Sequence, residues 1–145
     1  MNLAPVLPAL ALVLLARAAA AQSIALSYGP ERTVYGSCRP ALTLSNGSGR
    51  TLDYVEIDMR YRLSDQRQVL AQHKSRYRDG VADPIAPAAH RALIIHHDES
   101  VPLGAPCSAI VQATVEAVTC RADDGSDCAT ALALAPGAEL ALPRR

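Results

Sequence analysis

Nine consecutive residues constrain the class of this chain more than any others. From Val55 to Leu63 the character alternates without a break, with Val55, Ile57, Met59, Tyr61 and Leu63 on one parity and Glu56, Asp58, Arg60 and Arg62 on the other. Successive side chains of an extended strand point to opposite faces, so the pattern predicts a strand with one face in a core and one in water. On a helix the same five apolar residues would scatter around the axis.

The rest of the chain divides in the same way. Strands are expected over Ser23 to Tyr28, closed by Gly29-Pro30, and over Ala41 to Ser45, with Leu42 and Leu44 on one face. Gln68 to Tyr77 reads as a charged edge strand with Val69 and Ala71 facing one way. Arg91 to His96 follows, then Ser108 to Cys120, in which Val111, Ala113, Val115 and Ala117 share a face. Ala129 to Leu134 is expected to pair back as the last long strand, with a short one over Glu139 to Leu142. Asn46-Gly47-Ser48-Gly49 and Ser64 to Arg67 are turns, and Arg78 to Ala89 is a loop. Seven strands without a helix predict an all-β, seven-stranded sandwich.

Val6 to Leu15 is an apolar run broken only by Pro8, followed by Arg17 and the junction Ala18-Ala19-Ala20-Ala21-Gln22. Small residues at Ala19 and Ala21 meet the A-x-A requirement of signal peptidase. The run falls short of the about 20 residues a permanent anchor needs, and no cysteine stands near the junction to carry a lipid. Residues 1–21 are therefore expected to be a cleaved signal peptide and residues 22–145 a single exported domain, secreted or periplasmic. The alternative is an N-terminal helix belonging to the fold, and the prolines at Pro5 and Pro8 oppose it.

Composition enters at two points. The chain has no Trp or Phe and five Tyr, so Val, Ile, Leu and Ala must supply most of a lean core. Charge is balanced, at 14 Lys plus Arg against 14 Asp plus Glu, and losing Arg17 with the signal leaves 13 against 14. Without a basic excess there is no means of displacing the counterions of nucleic acid, and no reason to expect an anionic membrane surface as partner.

All four cysteines, Cys38, Cys107, Cys120 and Cys128, lie in the expected mature part. An even number in an exported chain predicts two disulfides, and spacings of 69, 13 and 8 positions do not suit zinc knuckles. Cys120 and Cys128 flank a short hairpin loop that a bridge would close. Cys38 shares parity with Leu42 and Leu44, and Cys107 with Val111 and Val115, so both point inward. In a sandwich of the immunoglobulin type the second and sixth strands run the same way in opposite sheets. The expected pairing is therefore 38–107 and 120–128, one of three connectivities open to four cysteines.

Two clusters suggest chemistry. In His96-His97-Asp98-Glu99, His96 and Asp98 fall on one side of a strand and could hold a transition metal, with His73 or His90 as further donors. The competing reading is a polar strand end before a loop. Asp123-Asp124-Gly125-Ser126-Asp127 lacks the donor spacing of a calcium-binding EF-hand and reads as an exposed hairpin tip. As a clipped, exposed loop, its Asp123, Asp124, Gly125 and Asp127 form a candidate contact surface. The charges of Glu56, Asp58, Arg60 and Arg62 suit cross-strand pairing with Lys74, Arg76 or Arg78. Asn46-Gly47-Ser48 matches an N-glycosylation sequon. The motifs of serine hydrolases, zincins and nucleotide-binding folds are missing, and no cofactor is expected.

The stretch Leu42-Thr43-Leu44-Ser45-Asn46-Gly47-Ser48-Gly49-Arg50-Thr51-Leu52, followed by Val55-Glu56-Ile57-Asp58-Met59-Arg60-Tyr61 and Ile85-Ala86-Pro87, resembles bacterial immunoglobulin-like modules of the FxLYD type. The size, export signal and cysteine layout are similar to small secreted fibronectin III-like proteins grouped with the bacterial interleukin receptor mimic. That second resemblance implies a β-sandwich, a strand-exchanged dimer and binding to host cytokines. Taken together, the expectation is an exported protein-binding module without catalytic activity, with homodimerisation through an edge strand a further possibility. The alternatives are a periplasmic metal-binding protein using His96 and Asp98, or a small enzyme inhibitor or hydrolase.

Overall fold

The computed structural model describes residues 23–75, 77–78, 81–95, 103–132 and 135–145. The expected signal segment and the His96–Glu99 cluster lie outside them. The strands are β1 (Ile24–Val34), β2 (Ser37–Asn46), β3 (Leu52–Leu63), β4 (Gln68–Lys74), β5 (Tyr77–Arg78), β6 (Val81–Ala82), β7 (His90–Ile95) and β8 (Ile110–Ala122). The protein is all-β, with a six-stranded sheet ordered β1-β2-β7-β4-β3-β8 and a separate two-stranded ribbon of β5 and β6.

The large sheet folds back on itself. Four strand spacings separate β1 from β3 in that order, which would be ~19 Å in a flat sheet. Yet Tyr28 of β1 and Tyr61 of β3 meet edge to face with ring centroids 6.3 Å apart. The fold lies at β7, whose first part pairs with β2 from Ser45↔His90 to Leu42↔Leu93. Its last two residues pair with β4, as His73↔Ile95 and Lys74↔Ile94. The result is two facing layers, β1-β2-β7 and β4-β3-β8, with a shared core between them.

Alternation places that core. In β2 every second residue from Cys38 to Asn46 is buried, and in β3 the same holds from Val55 to Leu63. Leu42 and Leu44 face Val55, Ile57, Met59, Tyr61 and Leu63, and all seven are fully buried. Burying each large side chain of this kind contributes about 1.5–3 kcal/mol.

Five expectations need correction. The Gly29-Pro30 breaker is a bulge inside β1, where the register against β2 shifts between Tyr28 and Glu31. The Arg78 to Ala89 loop contains part of the β5–β6 ribbon. The edge strand expected over Gln68 to Tyr77 ends at Lys74 and is an edge only over Gln68–Gln72 among the described residues, because its last two residues pair with β7. In β8 the pairing with β3 skips Val111 and Glu116, so Ala113 and Val115 are buried while Val111 and Ala117 face solvent. Past the second skip the inward parity changes, which is how Cys120 and Ala122 come to be buried.

The last correction concerns Ala129 to Leu134. Residues Ala129–Ala131 form a 3-10 turn instead of a strand, and residues 133–134 lie outside the described residues. The place beside β8 is taken by the following segment, through Val115 N–H to Ala138 O, Gly137 N–H to Val115 O and Leu140 N–H to Ala113 O. Among the described residues no helix is long and apolar enough to cross a membrane.

Candidate functional site

The two disulfides join Cys38 to Cys107 and Cys120 to Cys128. The first ties the start of β2 to the 3-10 turn Cys107–Ala109 that leads into β8, and so staples the two layers. Strand parity does not govern Cys107, because it sits in that turn, and the Val111 used to infer its direction is exposed. The inward face of Cys38 agrees with the alternation of β2.

The second disulfide lies at the base of the loop after β8. Cys128 N–H bonds Cys120 O at 3.1 Å, Ala122 N–H bonds Ser126 O at 2.9 Å and Gly125 N–H bonds Ala122 O at 2.9 Å. Asp124 and Asp127 turn their carboxylates onto the local backbone, accepting from Ser126 N–H at 3.0 Å and from Ala129 N–H at 2.8 Å. The bonds from Ser126, its N–H first, hold the Asp124 carboxyl below the usual carboxylate range, with help from Arg50. The carboxylates therefore shape the tip and do not converge as metal donors. Asp123, Asp124, Gly125 and Asp127 are all exposed.

This loop is braced from a neighbouring turn. Arg50 forms an ion pair with Asp124 and donates to Ser126 Oγ at 2.8 Å. Asp123 N–H bonds Thr51 O at 3.0 Å. The turn carrying Arg50 is itself knotted by Asn46, only 1% exposed. The Asn46 amide donates to Arg50 O at 2.6 Å, Ile85 O at 3.0 Å and Ala86 O at 3.2 Å. Its carbonyl accepts from Ser48 N–H at 3.1 Å and Ser48 O–H at 2.6 Å. An amide nitrogen so committed cannot accept a glycan in the folded state. Gly47 is needed here for a different reason, because a Cβ would stand 2.6 Å from Ser23 O.

Of the other candidates, His96 and Asp98 lie outside the described residues. His73 is buried in the core with Nε2 2.7 Å from the Tyr61 hydroxyl, and the two rings meet edge to face. Removal from water pushes its imidazole down to about 4, with the Leu93 backbone opposing in part. Burial also raises the Tyr61 phenol well above its usual range. His90 Nδ1 lies 2.6 Å from Ser45 Oγ at the far end of β7, so the two histidines do not come together. Glu31, Cys38 and Cys107 bring donor atoms within 4.8 Å of one another. Both sulfurs are joined in the disulfide, and Glu31 is engaged by Tyr28 and Arg145.

The charged outer face of β3 pairs across strands. Lys74 lies 3.5 Å from Glu56, and Gln72 donates to Glu56 at 2.8 Å and to Asp58 at 3.0 Å. Arg60 reaches Glu116 at 2.9 Å, and Arg62 donates to Gln112 at 2.9 Å. That face is a lattice of cross-strand pairs in which Arg60 Nε stays without a hydrogen-bond partner among the described residues, and Leu70 of β4 is exposed on it.

Sequence reasoning missed Arg50 as the brace of the loop, and no local signal could have found it, since its partner stands 74 positions away. It also missed the hairpin between β1 and β2. Val34 pairs with Ser37 around a two-residue turn of Tyr35 and Gly36, with φ of 49° and 76°. A Gly between two alternating segments was the available signal. No protein-family model matches the chain, and neither a curated protein nor a solved structure does.

Proposed function

We propose that the chain is an exported, non-catalytic protein-binding module whose contact surface includes the Asp123–Asp127 loop. The observation that carries this reading is the construction of the loop. Four exposed residues stand on a tip that is clipped by Cys120–Cys128 and braced by Arg50 from the β2–β3 turn. A tip fixed before contact loses little conformational entropy on binding, and loops at one end of a rigid sandwich are where such domains make their contacts. Two disulfides also suit an oxidising compartment, which supports residues 1–21 as an export signal.

The immunoglobulin or fibronectin III-like reading is part of this proposal. The facing layers β1-β2-β7 and β4-β3-β8 support it, with the segment Gly137 to Leu140 beside β8 in the seventh position. The described histidines are tied to Tyr61 and Ser45, which favours a structural part for both over acid–base chemistry.

The test is photo-cross-linking in cells. A photoreactive residue at Asp123 of the exported chain should give one dominant protein adduct, and the same residue at Arg62 should not. Equal, diffuse labelling from both positions would count against the loop as a contact surface.

A further inference from the structure

The amide that knots the β2–β3 turn stands in a reactive sequence. Asn46 is followed by Gly47, and it is the only asparagine in residues 22–145. Glycine has no Cβ to shield its backbone nitrogen, so in an open chain the Gly47 nitrogen reaches the Asn46 side-chain carbonyl carbon unhindered. Hydroxide takes the Gly47 proton, the nitrogen attacks Cγ, and the Cγ–Nδ2 bond breaks. The amide leaves as ammonia with a proton from water, and a five-membered succinimide remains. Water then opens the ring at either carbonyl, giving aspartate or isoaspartate at position 46.

Folding withholds both reacting groups. The Gly47 N–H is given to Ser23 O at 2.9 Å. The Asn46 side chain, 1% exposed, donates to Arg50 O, Ile85 O and Ala86 O and accepts from the Ser48 N–H and hydroxyl. Turning its carbonyl carbon toward Gly47 would break these bonds together.

The guard on the nitrogen is the part placed to open. Ser23 is exposed, and β1 is an end strand of the sheet. With residues 1–21 removed, as the export reading has it, Ser23 is one residue from the chain end. Ile24 holds it in place, since it is fully buried, pairs with Asn46 and bridges to Leu132. Openings at such ends cost the least free energy in a fold.

Conversion is one-way. A carboxylate at position 46 cannot donate to the three carbonyls, and its charge would be buried. Isoaspartate also adds a methylene to the main chain beside the Ile24↔Asn46 pair. Loss of the bond to Arg50 O frees the turn from which Arg50 reaches Asp124.

We propose that Asn46–Gly47 is a self-modification site guarded by the start of β1. It converts when Ser23 and Ile24 detach, and conversion irreversibly ends the life of the folded domain. The site stands independently of the Asp123–Asp127 loop as a contact surface.

The test incubates the exported domain, disulfides intact, at mildly alkaline pH and follows position 46 by peptide-mapping mass spectrometry. Conversion should be roughly a hundredfold or more slower in the native domain than in denaturant. Ile24→Ala should speed native conversion roughly tenfold or more beyond Leu63→Ala compared at equal global stability, because Leu63 lies at the far end of β3. If either alanine variant does not fold, Ile24→Val and Leu63→Val make the same comparison with a smaller difference. The converted domain should unfold at a lower midpoint than the parent. The proposal is overturned if position 46 does not convert in denaturant, or converts as fast in the native domain. It is equally overturned if the Ile24 and Leu63 variants convert at one rate, which would make global unfolding the gate, or if the converted domain keeps the parent midpoint.

Discussion

Tyr61 and His73 hold each other in the middle of the core, the phenol oxygen 2.7 Å from Nε2 with both side chains fully buried. They sit on β3 and β4, and His73 also faces Ile95 at the short seam where β7 reaches β4. The other ring nitrogen of His73 has only the Leu93 backbone beside it, without a hydrogen bond of full geometry. A neutral imidazole tolerates that buried position, and a charged one would have no carboxylate beside it among the described residues.

Acid should therefore loosen the fold in a defined window. The folded imidazole titrates at about 4, whereas an unfolded chain takes up the same proton near pH 6.5. Between those values the unfolded state binds more protons, so stability rises with pH across the window. The contribution is complete above about 6.5, is lost progressively down to about 4, and amounts to roughly 3 kcal/mol. Denaturant unfolding across that range should show the slope, and His73→Gln should flatten it. Tyr61→Phe should cost about 1–3 kcal/mol by leaving Nε2 alone in the core.

The two disulfides should differ in weight. Cys38–Cys107 closes a span of 69 positions and Cys120–Cys128 a span of 8. Loop-closure entropy predicts losses of about 4 kcal/mol and about 2.5 kcal/mol when each pair is replaced by alanine. Thermal unfolding of the two double variants checks the order.

Asn46→Ala should be among the most damaging single changes. It removes both halves of a buried amide and leaves the carbonyls of Ile85 and Ala86 and the Ser48 hydroxyl short of a partner. The expected loss is about 3 kcal/mol, read from the denaturation midpoint. Asn46→Asp should not rescue it, because a carboxylate cannot donate to those carbonyls.

Tyr35→Asn should move stability the other way. Relief of the left-handed conformation predicts a gain of about 1 kcal/mol, measured by chemical denaturation. A loss of stability would mean that the Tyr35 ring supports the fold.

The all-β class was legible because β2 and β3 obey a strict two-residue period and each buries one face. The pairing of Cys38 with Cys107 was legible from the order of the strands, although the parity argument for Cys107 used a residue that is exposed. What stayed hidden depends on long-range register. The skips at Val111 and Glu116 arise from pairing with β3, and nothing in the local alternation marks them. The brace from Arg50 to Asp124 likewise exists only once β2 and β8 bring their loops to the same end. His73 read as a candidate metal donor because an imidazole has the same letter in a core as in a site, and only burial beside Tyr61 distinguishes them.

The central claim is that the clipped loop binds protein, and capture from extracytoplasmic extract tests it most directly. The immobilised domain should retain one saturable protein, and a variant carrying Asp123→Asn and Asp127→Asn, folded by the same unfolding midpoint, should lose it. Retention of that protein at equal affinity by the variant, or no saturable partner for the parent domain, would contradict the account.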